Sequence, residues 1–442
     1  MQGTYAGHVV GSDTKFPFLK LYIFTAIVML AADWIGSVTF NVGPGKVVLL
    51  PMVWAIIMGG LLGVFRQSMP PLFRVDTALQ FRAAAVLQPA LLLFIAKLGL
   101  MVGNSLPKLA AAGWALAFQE LGHFVGTILI GLPLALLLGI KREAIGATFS
   151  VGREPSLAII GERYGMDSPE GRGVLAEYLT GTLFGAVFIA VLAGFVASLN
   201  IFHPISLAMG SGVGSGSMMA AASGAIAAQQ TPEVAKDVMT FAAASNLITT
   251  TIGTYFTLFI SLPLAVYGYR FLEPILGRTT KASTDQSKVS ANDHAEVPEL
   301  SEVQKWGVWI VAAGLTMVSD RILYGTSLAD TFPGMVVMLV AVAIGDLLAR
   351  ITGRKIPAVC WVSLVAMAIT SPLFPWDAQM VAITGKINFL AVTPVMLTFA
   401  GLSLAKDLPA FRRLGWRIVL VSFAANAGTF LGATLVAEFF HR

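Results

Sequence analysis

Cysteine is nearly absent from this chain: Cys360 is the only one among 442 residues. No intrachain disulfide can form, and no cysteine metal site exists. Charge is scarce too. Asp, Glu, Lys and Arg make up 12% of the residues, where a soluble globular domain carries about a quarter. That excludes a soluble globular fold. The chain has no His-Glu-x-x-His motif, and Glu120-Leu121-Gly122-His123 offers too few ligands for zinc. Residues 1–19 are polar, and the apolar run after them has no clean cleavage site. That run therefore reads as a first span and not as a removed signal peptide.

Apolar residues are abundant: 56% of the chain is hydrophobic, much of it in runs of about 20 residues, the length of a spanning helix. The runs fall near 20–40, 47–65, 83–105, 111–140, 174–199, 238–268, 306–325, 333–349, 356–372, 386–405 and 415–438. The expected fold is an all-α polytopic membrane protein of about 11 spanning helices. The cations sit between these runs. Lys15, Arg66, Arg74, Lys141, Arg142, Arg172, Arg278, Lys281, Lys288, Arg350, Arg354, Lys355, Arg412 and Arg413 fall on one side, and Lys46, Lys108 and Lys236 on the other. The cation-rich side is cytoplasmic, which places the N-terminus there. The net charge of +5 thus orients the protein, and no nucleic-acid partner is expected.

Two glycine- and serine-rich stretches interrupt the apolar middle. One runs from Ser150-Val151-Gly152-Arg153-Glu154-Pro155-Ser156 to Ser168-Pro169-Glu170. The other runs from Gly212-Val213-Gly214-Ser215-Gly216-Ser217 to Thr231-Pro232-Glu233. Counted back from the Pro-Glu pairs, Gly161 falls on Gly224. Broken backbone at membrane depth is tolerated only where it is buried in protein or lines a cavity. The stretches, about 146–165 and 204–229, read as two re-entrant or broken helical hairpins that enter from opposite faces, with Gly152–Ser156 and Gly214–Ser217 as facing tips. A matched pair of breaks is the sequence pointer to a transporter's binding site.

The flanks also repeat. Gly103-Asn104-Ser105-Leu106-Pro107-Lys108 matches Gly401-Leu402-Ser403-Leu404-Ala405-Lys406. Gly113-Trp114 recurs as Gly415-Trp416, and Gly126-Thr127 as Gly428-Thr429. Pro44-Gly45-Lys46-Val47-Val48 matches Pro333-Gly334-Met335-Val336-Val337, although these copies do not fall on opposite faces as an inverted repeat requires. The expected organisation is flanking scaffold-type helices over 1–140, a first core repeat over 141–200, a second over 201–277, a flexible polar cytoplasmic linker over 278–305 and second flanking helices over 306–442.

A half-helix that starts at a hairpin tip aims unpaired N–H groups and a positive dipole end into the cavity, which suits a carboxylate. The candidate substrate-binding residues are Ser150, Gly152, Arg153, Glu154, Pro155, Ser156, Gly212, Gly214, Ser215, Gly216 and Ser217. The plain alternative is that the small residues serve close helix packing. Arg153 is either a bidentate carboxylate clamp or a cytoplasmic-face anchor. Candidate ion-coupling residues are Glu177, Thr180, Asn246, Thr249 and Thr250 on the helices after the hairpins, although each threonine alone also fits back-bonding to its own helix. Glu120 and His123, one turn apart, are candidates for a proton relay or a scaffold lock; their repeat mates, Ser422 and Ala425, are not ionisable. Asp33, Asp320 and Asp346 are the other acids inside expected spans, and Asp320 next to Arg321 reads as a local ion pair.

With its paired hairpins, the helix after each, and Gly401-Leu402-Ser403-Leu404 before an Arg-containing last helix, the chain resembles the glutamate:sodium and 2-hydroxycarboxylate symporters. These belong to the wider cation/proton antiporter and anion transporter group. It also resembles a bacterial membrane family labelled as of unknown function. The resemblance implies an inverted-repeat, elevator-type transporter in the bacterial inner (cytoplasmic) membrane, as a homodimer. It implies secondary active transport of a small organic anion, a carboxylate or amino-acid-like solute, by alternating access. Sodium or protons would be the coupling ion, with no other cofactor and no resident metal. Where relatives carry a double glycine in the first hairpin, this chain has Arg153-Glu154-Pro155, so substrate identity does not carry over. A cation/proton antiporter is the nearest alternative, and an intramembrane enzyme built on a hairpin serine and His123 is the second.

Overall fold

The computed structural model of the protein describes residues 18–71, 74–151, 154–165, 168–212, 214–251, 253–277, 299–353, 358–408 and 415–441. It opens with α1 (Leu19–Ile35), a hairpin of strands β1 (Val38–Val42) and β2 (Gly45–Leu49), α2 (Pro51–Val64) and α3 (Thr77–Asn104). There follow α4 (Leu106–Ala112), α5 (Trp114–Leu137), α6 (Glu143–Thr148), α7 (Glu154–Tyr164), α8 (Pro169–Thr180) and α9 (Ala186–Ser198). Next come α10 (Pro204–Ser211), α11 (Gly216–Ala227), α12 (Pro232–Thr251), α13 (Gly253–Phe256) and α14 (Leu262–Leu276). The last are α15 (Glu302–Tyr324), α16 (Leu328–Ile351), α17 (Ala358–Thr370), α18 (Asp377–Thr384), α19 (Phe389–Ser403) and α20 (Trp416–His441).

The Pro-Glu pairs that bound the two glycine-rich stretches turn out to be helix starts. Pro169 opens α8 behind Ser168, whose Oγ accepts from Gly171 N at 2.9 Å, and Pro232 opens α12. A proline there loses no hydrogen bond. Ser301 and Gln304 form a reciprocal capping box that opens α15 at Glu302. Residues 302–305 are therefore helix and not linker, while 278–298 lie outside the described residues.

Among the described residues, seven helical segments are long and apolar enough to cross a membrane: Thr77–Asn104, Trp114–Leu137, Pro169–Ser198, Glu302–Tyr324, Leu328–Ile351, Phe389–Lys406 and Trp416–Phe440. The expectation of about 11 counted runs that fold otherwise. The run at 20–40 stops as helix at Ile35 and continues as a strand. The run at 47–65 begins in a strand and leaves a helix of 14 residues. The run at 356–372 leaves one of 13.

The chain forms two compact units. Unit 1 comprises Met1–Val38, Leu49–Asn104 and His294–Leu408. Unit 2 comprises Thr39–Val48, Ser105–Asp293 and Pro409–Arg442. In unit 1, α2 packs on α19 and α3 on α17. A Cβ on Gly401 would lie 2.6 Å from Ile56 O, and one on Gly103 would lie 2.1 Å from Met367 O. The two glycines matched in sequence thus have the same task, each bringing its helix onto a neighbour's backbone. α15 packs against α1 and α16, and against α3 and α19. The Pro-Gly match does not hold. Pro44 sits in the turn between the strands, while Pro333 lies inside α16.

In unit 2, α5 and α20 cross antiparallel through glycine. A Cβ on Gly126 would lie 2.1 Å from Gly428 O, and one on Gly428 would lie 2.3 Å from Gly126 O. Gly122 and Gly432 meet in the same way. The Thr127 and Thr429 hydroxyls, 302 residues apart in sequence, hydrogen-bond at 2.5 Å. The β-hairpin rests on α9, with Lys46 N donating to Ser198 Oγ at 2.6 Å. Leu132, Ile160, Leu175 and Val421 belong to the apolar cluster under the first hairpin.

Candidate functional site

Each hairpin consists of a short helix, a break and a longer helix. α6 and α7 flank the first break, α10 and α11 the second. The short arms lie close to the helices that follow. Cβ atoms on Gly146 and Gly173 would each come within 1.9 Å of a carbonyl oxygen, Glu170 O and Glu143 O. One on Gly212 would come within 2.4 Å of the Ser245 side chain.

The second break is latched by α12. Ser245 Oγ donates to Met209 O at 2.7 Å. The Asn246 amide donates to Gly212 O at 2.8 Å and to Gly214 O at 3.2 Å. Met209 O also accepts from Gly212 N at 3.2 Å, and the Asn246 amide supplies a donor to the carbonyls of the break beyond the end of α10. Gly214 has φ +92°, a conformation open to glycine and strained for an L side chain. Ser215 caps α11, accepting from Met218 N at 3.3 Å and bonding Ser217 Oγ at 3.0 Å. The positive end of α11 therefore opens at this tip.

The two breaks meet. A Cβ at Gly214 would lie 4.0 Å from Val151 Cγ1 of the first break and 3.6 Å from Met218 Sδ. Two π-helical turns, Gly181–Gly185 after the first hairpin and Thr257–Ser261 after the second, reach across. A Cβ on Gly185 would sit 3.1 Å from Met218 Sδ of the second hairpin. Ser261 Oγ donates to Phe149 O of the first. Widened turns of this kind recur at functional sites.

A buried acid adjoins the second hairpin through α12. Glu120 on α5 is 1% exposed. Its Oε1 accepts from Gln119 Nε2 at 2.9 Å and from the Thr249 hydroxyl. Its Oε2 lies 3.5 Å from His123 Nδ1. A Cβ on Gly253 would stand 3.5 Å from the same oxygen. Thr249 is one turn beyond Asn246, so the amide that latches the tip and the hydroxyl that holds Glu120 share a face of α12.

The remaining candidates are placed as follows. Ser150 is buried in the first break, and Ser156 is buried in the first turn of α7 with no hydrogen-bond partner for its Oγ. Gly152 and Arg153 lie outside the described residues, as do the side chains of Glu154 and Pro155, whose backbone starts α7. Gly216 is the buried first residue of α11. Glu177 is buried on α8, where a Cβ on Gly181 would lie 3.4 Å from its Oε1. Thr180 donates to Ala176 O and Thr250 to Asn246 O, both at 2.8 Å along their own helices. The structure thus joins the second tip, Asn246, Thr249, Glu120 and His123, and brings Val151 of the first break to that tip. Sequence reasoning missed Gln119, Val151, Met218, Ser245 and Ser261. Ser245, next to Asn246, and Val151, inside the first stretch, had a sequence cue. Among the described residues no three His, Cys, Asp or Glu side chains group as a metal site.

Fold and site together define a helical membrane protein with two broken hairpins in unit 2. The chain belongs to the family described as a protein of unknown function (DUF3100), whose model matches residues 30–271. That range holds both hairpins, α5 and the Glu120–Thr249 contact. No curated protein and no solved structure matches the chain, so the transporter group enters through the sequence resemblance alone.

Proposed function

We propose that this protein is a secondary active transporter of a small organic anion, a carboxylate or amino-acid-like solute, coupled to sodium or protons by alternating access. The observation that carries the reading is the approach of Gly214 to Val151, where two interrupted helices bring their breaks together. Backbone without side chains and the start of α11 offer N–H donors and a positive dipole end to a carboxylate. Arg153, next to that point in sequence, is assigned the second half of the carboxylate clamp. Glu120 and His123, tied to the tip through Thr249 and Asn246, are assigned to ion coupling. The contact between the repeat mates Thr127 and Thr429 supports an inverted repeat. The sequence resemblance alone carries the elevator-type homodimer in the bacterial inner membrane, and the cation asymmetry the cytoplasmic N-terminus.

A cation/proton antiporter is the second reading. It is favoured by one observation, that a buried carboxylate, Glu120, bonds the helix latching a break. The intramembrane-enzyme reading gains nothing comparable: His123 Nδ1 lies 3.5 Å from Glu120 Oε2, and among the described residues neither ring nitrogen bonds a hairpin serine.

The experiment is a thermal-shift screen of mono- and dicarboxylates in sodium and in potassium, followed by uptake into proteoliposomes. Saturable uptake driven by an imposed ion gradient is expected, with loss in Gly214→Val and in Ser217→Leu. Non-saturating flux that ignores the ion gradient would end the carrier reading. Proton efflux driven by sodium without any organic solute would establish the antiporter.

A further inference from the structure

Unit 1 contains its own break in the helical backbone. α18 ends at Thr384 and α19 starts at Phe389. Lys97 of α3, 4% exposed, donates from Nζ to Thr384 O at 2.8 Å. Asp320 of α15, fully buried, accepts from Asn388 N at 3.4 Å. A cation at a helix end and an anion at a helix start are the favourable placements. Lys97 is also the cation that faces Asp320. The expected Asp320–Arg321 pair is absent, because Arg321 turns to Gly325 O at 2.7 Å. Lys97 and Asp320 thus match the break and each other.

Asp33 is left over. It lies in the last turn of α1, 4% exposed, beside Ser319 of α15. Among the described residues neither of its oxygens makes a well-formed hydrogen bond; the Ser319 hydroxyl is the polar group that faces them, and Asp320 Oδ1 is likewise buried without a partner. The ionisable groups around it are few. On α15, Tyr324 faces both Asp33 and Asp320. The helices α2 and α19, which also pack on α1, have no ionisable side chain. On α3, Lys97 is committed to Thr384 and Asp320. On α1 itself, Lys20 is at the opposite end, bonded to Arg74 O. The ammonium of Lys97 thus faces Asp320, and no described cation faces Asp33. A buried carboxylate charge without a counter-ion is costly, and such a group neutralises by binding a proton.

We propose that Asp33 is a proton-binding residue of unit 1. Its carboxylate takes one proton from water, becomes a carboxylic acid whose O–H donates to Ser319 Oγ, and returns the proton to water on release. The fixed Asp320–Lys97 pair stays charged beside it. This site is separate from Glu120 and does not depend on the transport reading.

The test is infrared difference spectroscopy of the full chain in lipid, between acid and alkaline buffer, with carbon-13 label in the aspartate side-chain carboxyls. A protonated-carboxyl band that shifts with the label is expected. It should be lost in Asp33→Asn and kept in Glu120→Gln. A band that ignores the label, a labelled band that survives Asp33→Asn, or no band at all would overturn the proposal. Should Asp33→Asn fail to fold, Asp33→Glu keeps the acid but removes it from the label. The band is then expected to lose its isotope shift, and retention of that shift overturns the assignment.

Discussion

The two hairpins reach one backbone solution by different chemistry. In both, a glycine lets the short arm lie against the following helix, Gly146 in the first and Gly212 in the second. The first is held at its mouth by reciprocal ion pairs. Arg142 binds Glu170 Oε1 through Nε at 2.8 Å and Nη2 at 2.5 Å, and Arg172 reaches Glu143 at 2.9 Å. The Glu170 carboxylate also holds the Arg142 guanidinium above its ordinary pKa. The second hairpin has no ionisable residue on α10 to use this way. It is held at its tip by neutral donors, Ser245 and Asn246. Charge is used where Arg142 reaches water (its side chain is 59% exposed), and amide and hydroxyl are used where a charge would be costly to bury.

The comparison can be broken by substitution, and the largest effect is expected at Gly146. Gly146→Val places carbon against Glu170 O, so folded yield in detergent should collapse. Overpacking usually costs about 1–3 kcal/mol, and more against rigid backbone. Gly212→Ala, which meets a serine side chain first, should lower the melting temperature less. Equal losses would remove the distinction between the two arms.

Asn246→Leu comes next. It strands the carbonyls of Gly212 and Gly214, a cost of about 1–3 kcal/mol, and should abolish uptake while the protein stays folded. Wild-type uptake in that variant would show that the tip latch does not shape the site. Arg142→Ala leaves buried Glu170 without its partner. The loss should sit near the low end for a charge-assisted bond, about 1.5 kcal/mol, with transport retained. Adding Glu170→Gln should recover part of it, as a melting series would show. The smallest change is at the crossing of α5 and α20. Thr429→Val should cost about 1 kcal/mol, and Thr127→Val in the same chain should show clear coupling in a double-mutant cycle.

The hairpins were legible because their signals are local. Glycine and serine runs bounded by Pro-Glu pairs act within a few residues; the Ser301–Gln304 capping box is as local, yet it falls in the stretch expected as linker. The repeat mates were legible because Gly126-Thr127 and Gly428-Thr429 keep one spacing. The β-hairpin was legible in principle, since Val38-Thr39-Phe40-Asn41-Val42-Gly43-Pro44-Gly45 alternates and turns, but its apolar flanks read as helix. Helix lengths failed because hydropathy cannot distinguish a full span from a shorter buried helix. The π-helical turns and the Ser261–Phe149 bond left no local trace. Lys97 carries no local signal; its place follows only from Thr384 and Asp320 beside it.

The crossing of α5 with α20 has a consequence for how the chain assembles. α20 is the last helix, and it packs on α5, near the start of unit 2, and also on α10. Gly210 of the second hairpin lies so close that a Cβ there would be 2.1 Å from Thr434 Oγ1. The helices α15 to α19, all of unit 1, are synthesised in between. At ribosomal speed that is a delay on the order of ten seconds, during which both hairpins exist without the helix that closes them. Unit 1 is complete once α19 emerges, and unit 2 only with the final 26 residues of α20. Biogenesis therefore runs in a fixed sequence, and a chain stopped before Trp416 would carry both hairpins without the helix that packs on α6 and α10.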